Sequence, residues 1–200
     1  MPKIFVITYS TYGHVNTMAK AIVTGLTKGG AEAVRYQVAE TLPQEVLTKM
    51  HAPAKDESVP VLDAHNLPEA DGFLIGFPTR YGAVPAQMKA FFDATGGLWQ
   101  KGALVGKPVG FFFSTASQHG GQETTVMSTL PFAAHHGMVY VPLGYTNNHL
   151  FDNSEVIGGS AWGAGTVANG DGSRQPSEKE LAIAETQGEN FAGIAKKLSA

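Results

Sequence analysis

Two periodicities alternate along this chain of 200 residues. Consecutive apolar, often β-branched residues occupy Lys3–Tyr9, Ala33–Val38, Gly72–Gly76, Val109–Phe113 and Met138–Val141. Such runs lack the in-out alternation of a half-exposed strand and predict strands buried on both faces of a parallel sheet. Between them, apolar residues fall at helical spacing. Met18, Ala21, Ile22, Gly25 and Leu26 share one face of a helix expected to begin near Asn16 and to end at Gly29-Gly30. Pro85–Thr95 predicts a helix with proline in its first turn, burying Met88, Phe91 and Phe92. Gln122–His136 predicts another, and Ser177-Glu-Lys-Glu180 reads as a capping box opening a last helix that reaches Leu198.

Two stretches break the alternation. Residues 39–68 suggest only a short helix over Leu42–Leu47, with irregular chain around Ala52-Pro53 and Val59-Pro60. Residues 142–176 contain seven glycines and little apolar periodicity. A loop of that length in a compact domain is functional or takes part in assembly. With no repeat and no linker, the chain is expected to form one domain over residues 1–200. Its expected fold is α/β: a doubly wound, five-stranded parallel sheet with helices on both faces and ligands at the carboxyl ends of the strands.

Chemistry is expected where strands end. Ser10-Thr-Tyr-Gly-His-Val-Asn-Thr17 joins the first strand to the first helix. Such a turn aims free backbone N–H groups and the positive end of a helix dipole at one point, which suits a phosphate. The loop holds no Lys or Arg, so hydroxyls and the helix terminus must bind the anion, as suits a monoester at the end of a cofactor. By itself this reads more readily as an ordinary turn. Two more loops rich in Gly, Ser or Thr, 77–82 and 114–121, follow successive strands and make the case for a site.

Composition narrows the classes. At 43% apolar and 16% charged residues, the chain is a well-packed globular protein. Fourteen basic against seventeen acidic residues give a net charge of −3 without a basic stripe, so no nucleic-acid partner is expected. Lack of cysteine excludes disulfides and thiolate metal sites and is compatible with a cytoplasmic location. No apolar run approaches the roughly 18 residues of a membrane span, so no integral membrane association is expected. The first apolar run lacks a cleavage pattern and reads as a strand rather than a signal peptide.

Several motifs fail on spacing. The histidines at 14, 119, 135, 136 and 149 show no i,i+3 or i,i+4 ligand pairing with carboxylates, and no metal is expected. Gly158-Gly-Ser-Ala-Trp-Gly163 misses a nucleophile elbow by one residue. Gly102-Ala-Leu-Val-Gly-Lys107 is one residue short of a Walker A loop, and Pro108 follows it.

Across nearly the whole chain, seven stretches carry a family resemblance. They are Ser10-x-Tyr-Gly-His14, Pro78-Thr-Arg-Tyr-Gly82, Gly96-Gly-Leu-Trp99, Gly120-Gly-Gln-Glu123, His135-His-Gly137, Pro142-Leu-Gly-Tyr145 and Gly170-Asp-Gly-Ser-Arg-Gln-Pro176. In these the chain resembles the WrbA type of flavodoxin-like NAD(P)H:quinone oxidoreductase, and its fungal members closely. The resemblance implies FMN as cofactor, NADH or NADPH as donor, a homotetramer, and two-electron (hydride) reduction of quinones to hydroquinones. One flavin face shared by both substrates implies ping-pong kinetics. Ser114–His119 departs from the family, replacing a glycine-richer loop.

The resemblance also assigns residues. Ser10, Thr11, Tyr12, Gly13, His14 and Val15 would hold the FMN phosphate, and Tyr12 would also lie near the nicotinamide. Pro78, Thr79, Arg80, Tyr81 and Gly82 would border the ring, Arg80 as a cation near its pyrimidine side. Ser114, Thr115, Ala116, Ser117, Gln118, Gly120 and Gly121 would close the other side. His135 and Trp99 would be the catalytic wall on which nicotinamide and quinone stack, with His135 also touching the cofactor and Trp99 reaching a neighbouring subunit's site. His136 reads instead as a helix-end histidine facing the dipole. The rival reading is an FMN-binding electron carrier, or a regulatory or scaffold flavoprotein. A carrier docking on basic partners is usually strongly acidic, and −3 on 200 residues argues against it.

Overall fold

A computed structural model of the chain describes residues 1–199. Strands β1 (Lys3–Thr8), β2 (Glu32–Gln37), β3 (Gly72–Pro78), β4 (Pro108–Thr115) and β5 (Val139–Tyr140) form a parallel sheet in the order β2-β1-β3-β4-β5. Successive residues of β1 point to opposite faces, and both faces are apolar. Phe5 and Ile7 join Phe73, Ile75, Phe111 and Phe113 on one side. Ile4 and Val6 join Leu74 and Phe112 on the other. That two-sided burial is the reason the strands are written as continuous apolar runs.

Helices cover each face. Helix α1 (His14–Lys28) and the last helix, α6 (Glu178–Leu198), lie over Ile4, Val6 and Leu74. Helices α3 (Ala86–Asp93), α4 (Gly96–Gln100) and α5 (Gln122–His135) lie over the opposite face. The short helix α2 (Gln44–Lys49) lies between β2 and β3. Helices α1 and α6 approach backbone to backbone at two glycines. A Cβ on Gly25 would fall 1.9 Å from the Glu185 carbonyl oxygen, and one on Gly188 would fall 2.3 Å from that of Ile22. Among the described residues, no helix is long and apolar enough to cross a membrane.

The edge strands β2 and β5 are only partly buried, against the expectation of burial on both faces, and three further elements differ from the sequence expectation. Helix α1 starts at His14 rather than near Asn16, because Gly13, with φ of 93°, makes the turn immediately before it. Helix α4 follows α3 directly, although Gly96-Gly97 opens it with weak helix formers. The third is inside the glycine-rich excursion. Residues Gly165–Val167 form β6, which pairs with β4 at Phe113–Thr115, on the edge where β5 pairs at Pro108–Val109. The fifth strand position is thus filled in two pieces. Three residues after a glycine are too short a run to announce a strand.

Buried polar side chains fasten this excursion. Glu180, fully buried, accepts hydrogen bonds from the backbone N–H groups of Gly158 (2.8 Å), Val167 (3.2 Å) and Ser177 (2.8 Å). It also accepts from the Thr166 hydroxyl (2.9 Å) and from Arg174 Nη1 (2.9 and 3.0 Å). The expected capping box is present, but its glutamate reaches far beyond the cap. Gln187 accepts from Ala164 N–H and donates to the Phe111 carbonyl, both at 2.9 Å. Replacing Glu180 with alanine leaves several buried donors unpartnered and takes the counter-charge from Arg174, which keeps only the Val156 and Val167 carbonyls. The expected loss is about 3–5 kcal/mol, read as a lower urea midpoint, and a loss below about 1 kcal/mol would contradict this account.

Candidate active site

Four loops meet at the carboxyl ends of the strands around a cavity of about 440 Å³. Ser10, Thr11, Tyr12 and His14 line it from the β1 side, Pro78, Thr79 and Arg80 from β3, and Ser114, Thr115 and Ala116 from β4. No role is expected from the sequence for the fourth contributor, Ala168–Gly172 after β6, nor for Met50 and His51. Gly170–Gly172 lie in one of the stretches that carry the family resemblance; no local pattern marks Met50 or His51.

The first loop presents donors without acceptors. Gly13 N–H donates to Ser10 Oγ at 3.0 Å, and no side chain caps α1. The N–H groups of Thr11, Tyr12, His14, Val15 and Asn16 find no acceptor among the described residues. A Cβ on Gly13 would meet nothing within 4 Å, so the space before the helix terminus is open. Clustered N–H groups at a helix start, beside the Ser10 hydroxyl, are an arrangement able to hold an anion. Val15 supplies only its N–H, since its side chain is core. His14 is buried, and its Nε2 lies 2.9 Å from the Arg174 carbonyl oxygen. A carbonyl only accepts, so Nε2 carries the proton and ties α1 to the fourth loop.

Residues 80–83 form a tight hairpin. Arg80 and Ala83 exchange N–H to carbonyl bonds of 2.8 and 3.0 Å, and both central residues are left-handed, Tyr81 at φ 55° and Gly82 at φ 77°. Tyr81, a strained conformation for a non-glycine, is fully exposed. The Arg80 guanidinium donates to the Thr11 hydroxyl (3.0 Å) and the Thr79 carbonyl (2.9 Å), bridging two loops. Beside the hairpin, Gly121 starts α5 at φ 96°, and a Cβ there would lie 3.3 Å from Gly82 Cα. Ser117 accepts from Gly120 N–H and from the Thr115 hydroxyl, closing the 114–121 loop on itself. Gln118 is not among the lining of this cavity; it lines another with Leu150, Asn153 and Glu155.

A polar cluster lies behind the first loop. Glu40 bonds Lys55 at 2.9 Å, the Tyr9 hydroxyl at 3.0 Å and Gln87 at 2.9 Å. Burial alone would raise the Glu40 carboxyl, but Lys55 and the N–H groups of Leu42 and Thr41 hold it at about 2. Burial pushes Tyr9 up to about 12. Lys55 Nζ also donates to the Ser10 carbonyl at 2.9 Å. The loop has no cation of its own, yet two arrive from distant segments.

Trp99 and His135 come together, but not at this cavity. They line a second one of about 410 Å³ with Phe132, His136 and Ser128. The hairpin links their linings: Arg80 lines the first, and Ser128 of the second donates to the Gly82 carbonyl at 3.0 Å. His136 differs from the dipole reading. It is buried against Phe132, and desolvation, with His135 beside it, lowers its pKa, so it is neutral near pH 7. Its Nε2 pairs with Thr95 Oγ1 at 2.8 Å, joining the end of α5 to the start of α4 and hence to Trp99.

Comparison with known proteins gives this geometry a context. The chain is 58% identical over 198 residues to the NAD(P)H quinone oxidoreductase YCP4 of Candida albicans, covering 98% of this chain and 69% of that protein. It is 53% identical to the probable NAD(P)H dehydrogenase (quinone) FQR1-like 2 of Arabidopsis thaliana, over 98% of this chain and 72% of that one. Among solved structures, a WrbA-like flavodoxin protein from Agrobacterium tumefaciens superposes with a TM-score of 0.66 at 23% identity, over 98% of this chain and 99% of that one. That likeness shows the flavodoxin-like fold. The profile described as NADPH-dependent FMN reductase matches residues 2–151, and the chain belongs to that family.

Proposed function

We propose that the chain is an FMN-dependent NAD(P)H:quinone oxidoreductase that works by a ping-pong cycle. The observation that carries this is the anion cradle at the start of α1, opening on a cavity whose other walls are the ends of β3, β4 and β6. Its size, about 440 Å³, lies within the roughly 300–1,000 Å³ of small-molecule sites. The donor set fits FMN: free N–H groups and the Ser10 hydroxyl would take the phosphate, and loops 79–82 and 114–117 would flank the ring. Relatives whose names specify quinone oxidoreduction, at 58% and 53% identity, support the reaction class.

FMN, when bound, supplies two-electron chemistry, accepting a hydride from NADH or NADPH and delivering it to a quinone. The protein's own part is placement. Arg80 keeps a positive charge at the cavity, where its two hydrogen bonds run to neutral acceptors. Ser114 and Thr115, both nearly buried, would close that side of the ring. Trp99 and His135 would form the wall for flat substrates. Since they line a separate cavity, we assign them to a neighbouring copy's site within a homotetramer. Trp99 is 56% exposed, as a residue offered to another subunit should be.

Two measurements test this. Protein saturated with FMN under anaerobic conditions, treated with NADH or NADPH, should bleach in one step and be fully reoxidised by one equivalent of benzoquinone. Bound flavin that neither nicotinamide reduces would move the assignment to an electron carrier. For Trp99→Ala, loss of one stacking partner predicts a drop in kcat/KM for the quinone of about threefold to tenfold, with FMN affinity unchanged. Unaltered turnover in an intact tetramer would remove Trp99 from the site.

A further inference from the structure

We propose that Lys55 is a positioning residue for the cofactor phosphate, acting by orienting the Ser10–Thr11 peptide rather than by touching the phosphate. The inference rests on the FMN reading above.

Lys55 belongs to the irregular segment between α2 and β3, far in sequence from the loop it reaches. Its ammonium is held from three sides: Glu40 Oε2 at 2.9 Å, the Ser10 carbonyl oxygen at 2.9 Å, and the Tyr9 ring with its centroid 4.5 Å away. Glu40 is itself fixed by the N–H groups of Thr41 and Leu42, by Gln87 of α3 and by the Tyr9 hydroxyl. The ammonium therefore has a defined place, and its remaining donor defines where the Ser10 carbonyl must point.

A trans peptide sets the C=O of one residue and the N–H of the next on opposite sides. With the Ser10 carbonyl turned to Lys55, the Thr11 N–H points the other way. That N–H has no acceptor among the described residues, and Ser10 and Thr11 both line the cavity. Without Lys55, the peptide is free to rotate, and its carbonyl, a partial negative charge, can turn toward the anion. The same segment is pinned a second time where the Tyr12 hydroxyl donates to the Met50 carbonyl at 3.3 Å. Lys55 thus joins strand β1, the segment after α2 and the phosphate loop into one preset cradle.

The test compares flavins with and without a phosphate. Flavin-free protein is titrated with FMN and with riboflavin, following quenching of flavin fluorescence, in the wild type and in variants. Lys55→Met keeps the apolar stem and removes the donor. It should raise the FMN Kd about tenfold, the loss of one well-aimed hydrogen bond to a charged group, and leave the riboflavin Kd unchanged. Lys55→Arg, which keeps donors in reach, should restore FMN binding to within about threefold of wild type. Glu40→Gln, which removes the charge anchoring Lys55, should produce a smaller but equally FMN-selective loss, and decides the matter if Lys55→Met does not fold. An unchanged FMN Kd, or parallel weakening of both flavins, would overturn the proposal, the latter by making Lys55 a general prop. A wild type that binds FMN no better than riboflavin would overturn the phosphate cradle itself, a failure separable from that of Lys55.

Discussion

One buried carboxylate organises the part of this fold that ordinary sheet packing cannot. Glu180 sits on the last helix with no exposed surface, and its two oxygens gather Gly158, Thr166, Val167, Arg174 and Ser177. An ionised carboxylate has about four lone-pair sites, so these contacts saturate it. Desolvating such a charge is costly unless it is paired and fully hydrogen-bonded. The consequence is geometric. The excursion after β5 must return, place β6 beside β4 and present Ala168–Gly172 at the cavity. Arg174 carries the constraint onward, because its carbonyl holds His14 at the first position of α1. The rim of the site and the last helix are therefore one mechanical unit.

What could be read from the sequence follows from where each signal resides. Strands β1, β3 and β4 are written locally, as uninterrupted apolar runs, because both faces of the sheet are covered. Ser10–His14, Thr79–Gly82 and Ser114–Gly121 are equally local, since turns at strand ends need glycine and small hydroxyl residues. Strand β6 has three residues and no apolar pattern; it exists because β4 extends past β5 and leaves an edge to be paired. Met50, His51 and Lys55 carry no local mark of function and reach the site only through tertiary placement. His136 was misread for the same reason: its position at a helix end is visible in the sequence, but its burial against Phe132 is not.

The hairpin 80–83 shows how a small strained element is held in place. Tyr81 holds a positive φ that costs a non-glycine residue of order 1 kcal/mol or more. The strain persists because Arg80 and Ala83 pair across it, Gly82 N–H donates to Thr79 Oγ1, and Ser128 anchors the Gly82 carbonyl. Arg80 of this hairpin lines the first cavity, and Ser128, which holds it, lines the cavity that contains Trp99. On the function proposed above, binding of the cofactor and stacking of a substrate would fall to different elements.

Charge near the first loop is arranged with the same economy. Lys55 and Glu40 pair at 2.9 Å, so together they add no net charge behind the cradle. The Glu40 carboxyl, held at about 2 against the pull of its own burial, is ionised at neutral pH. A neutral pair cannot attract an anion over distance; it can only fix the peptide that it touches. Attraction is left to the helix terminus, the free N–H groups and Arg80, whose hydrogen bonds leave its charge uncompensated. Orientation and attraction are thereby assigned to different residues. The loop sequence can omit a cation because the fold brings one cation to orient it and another to charge it.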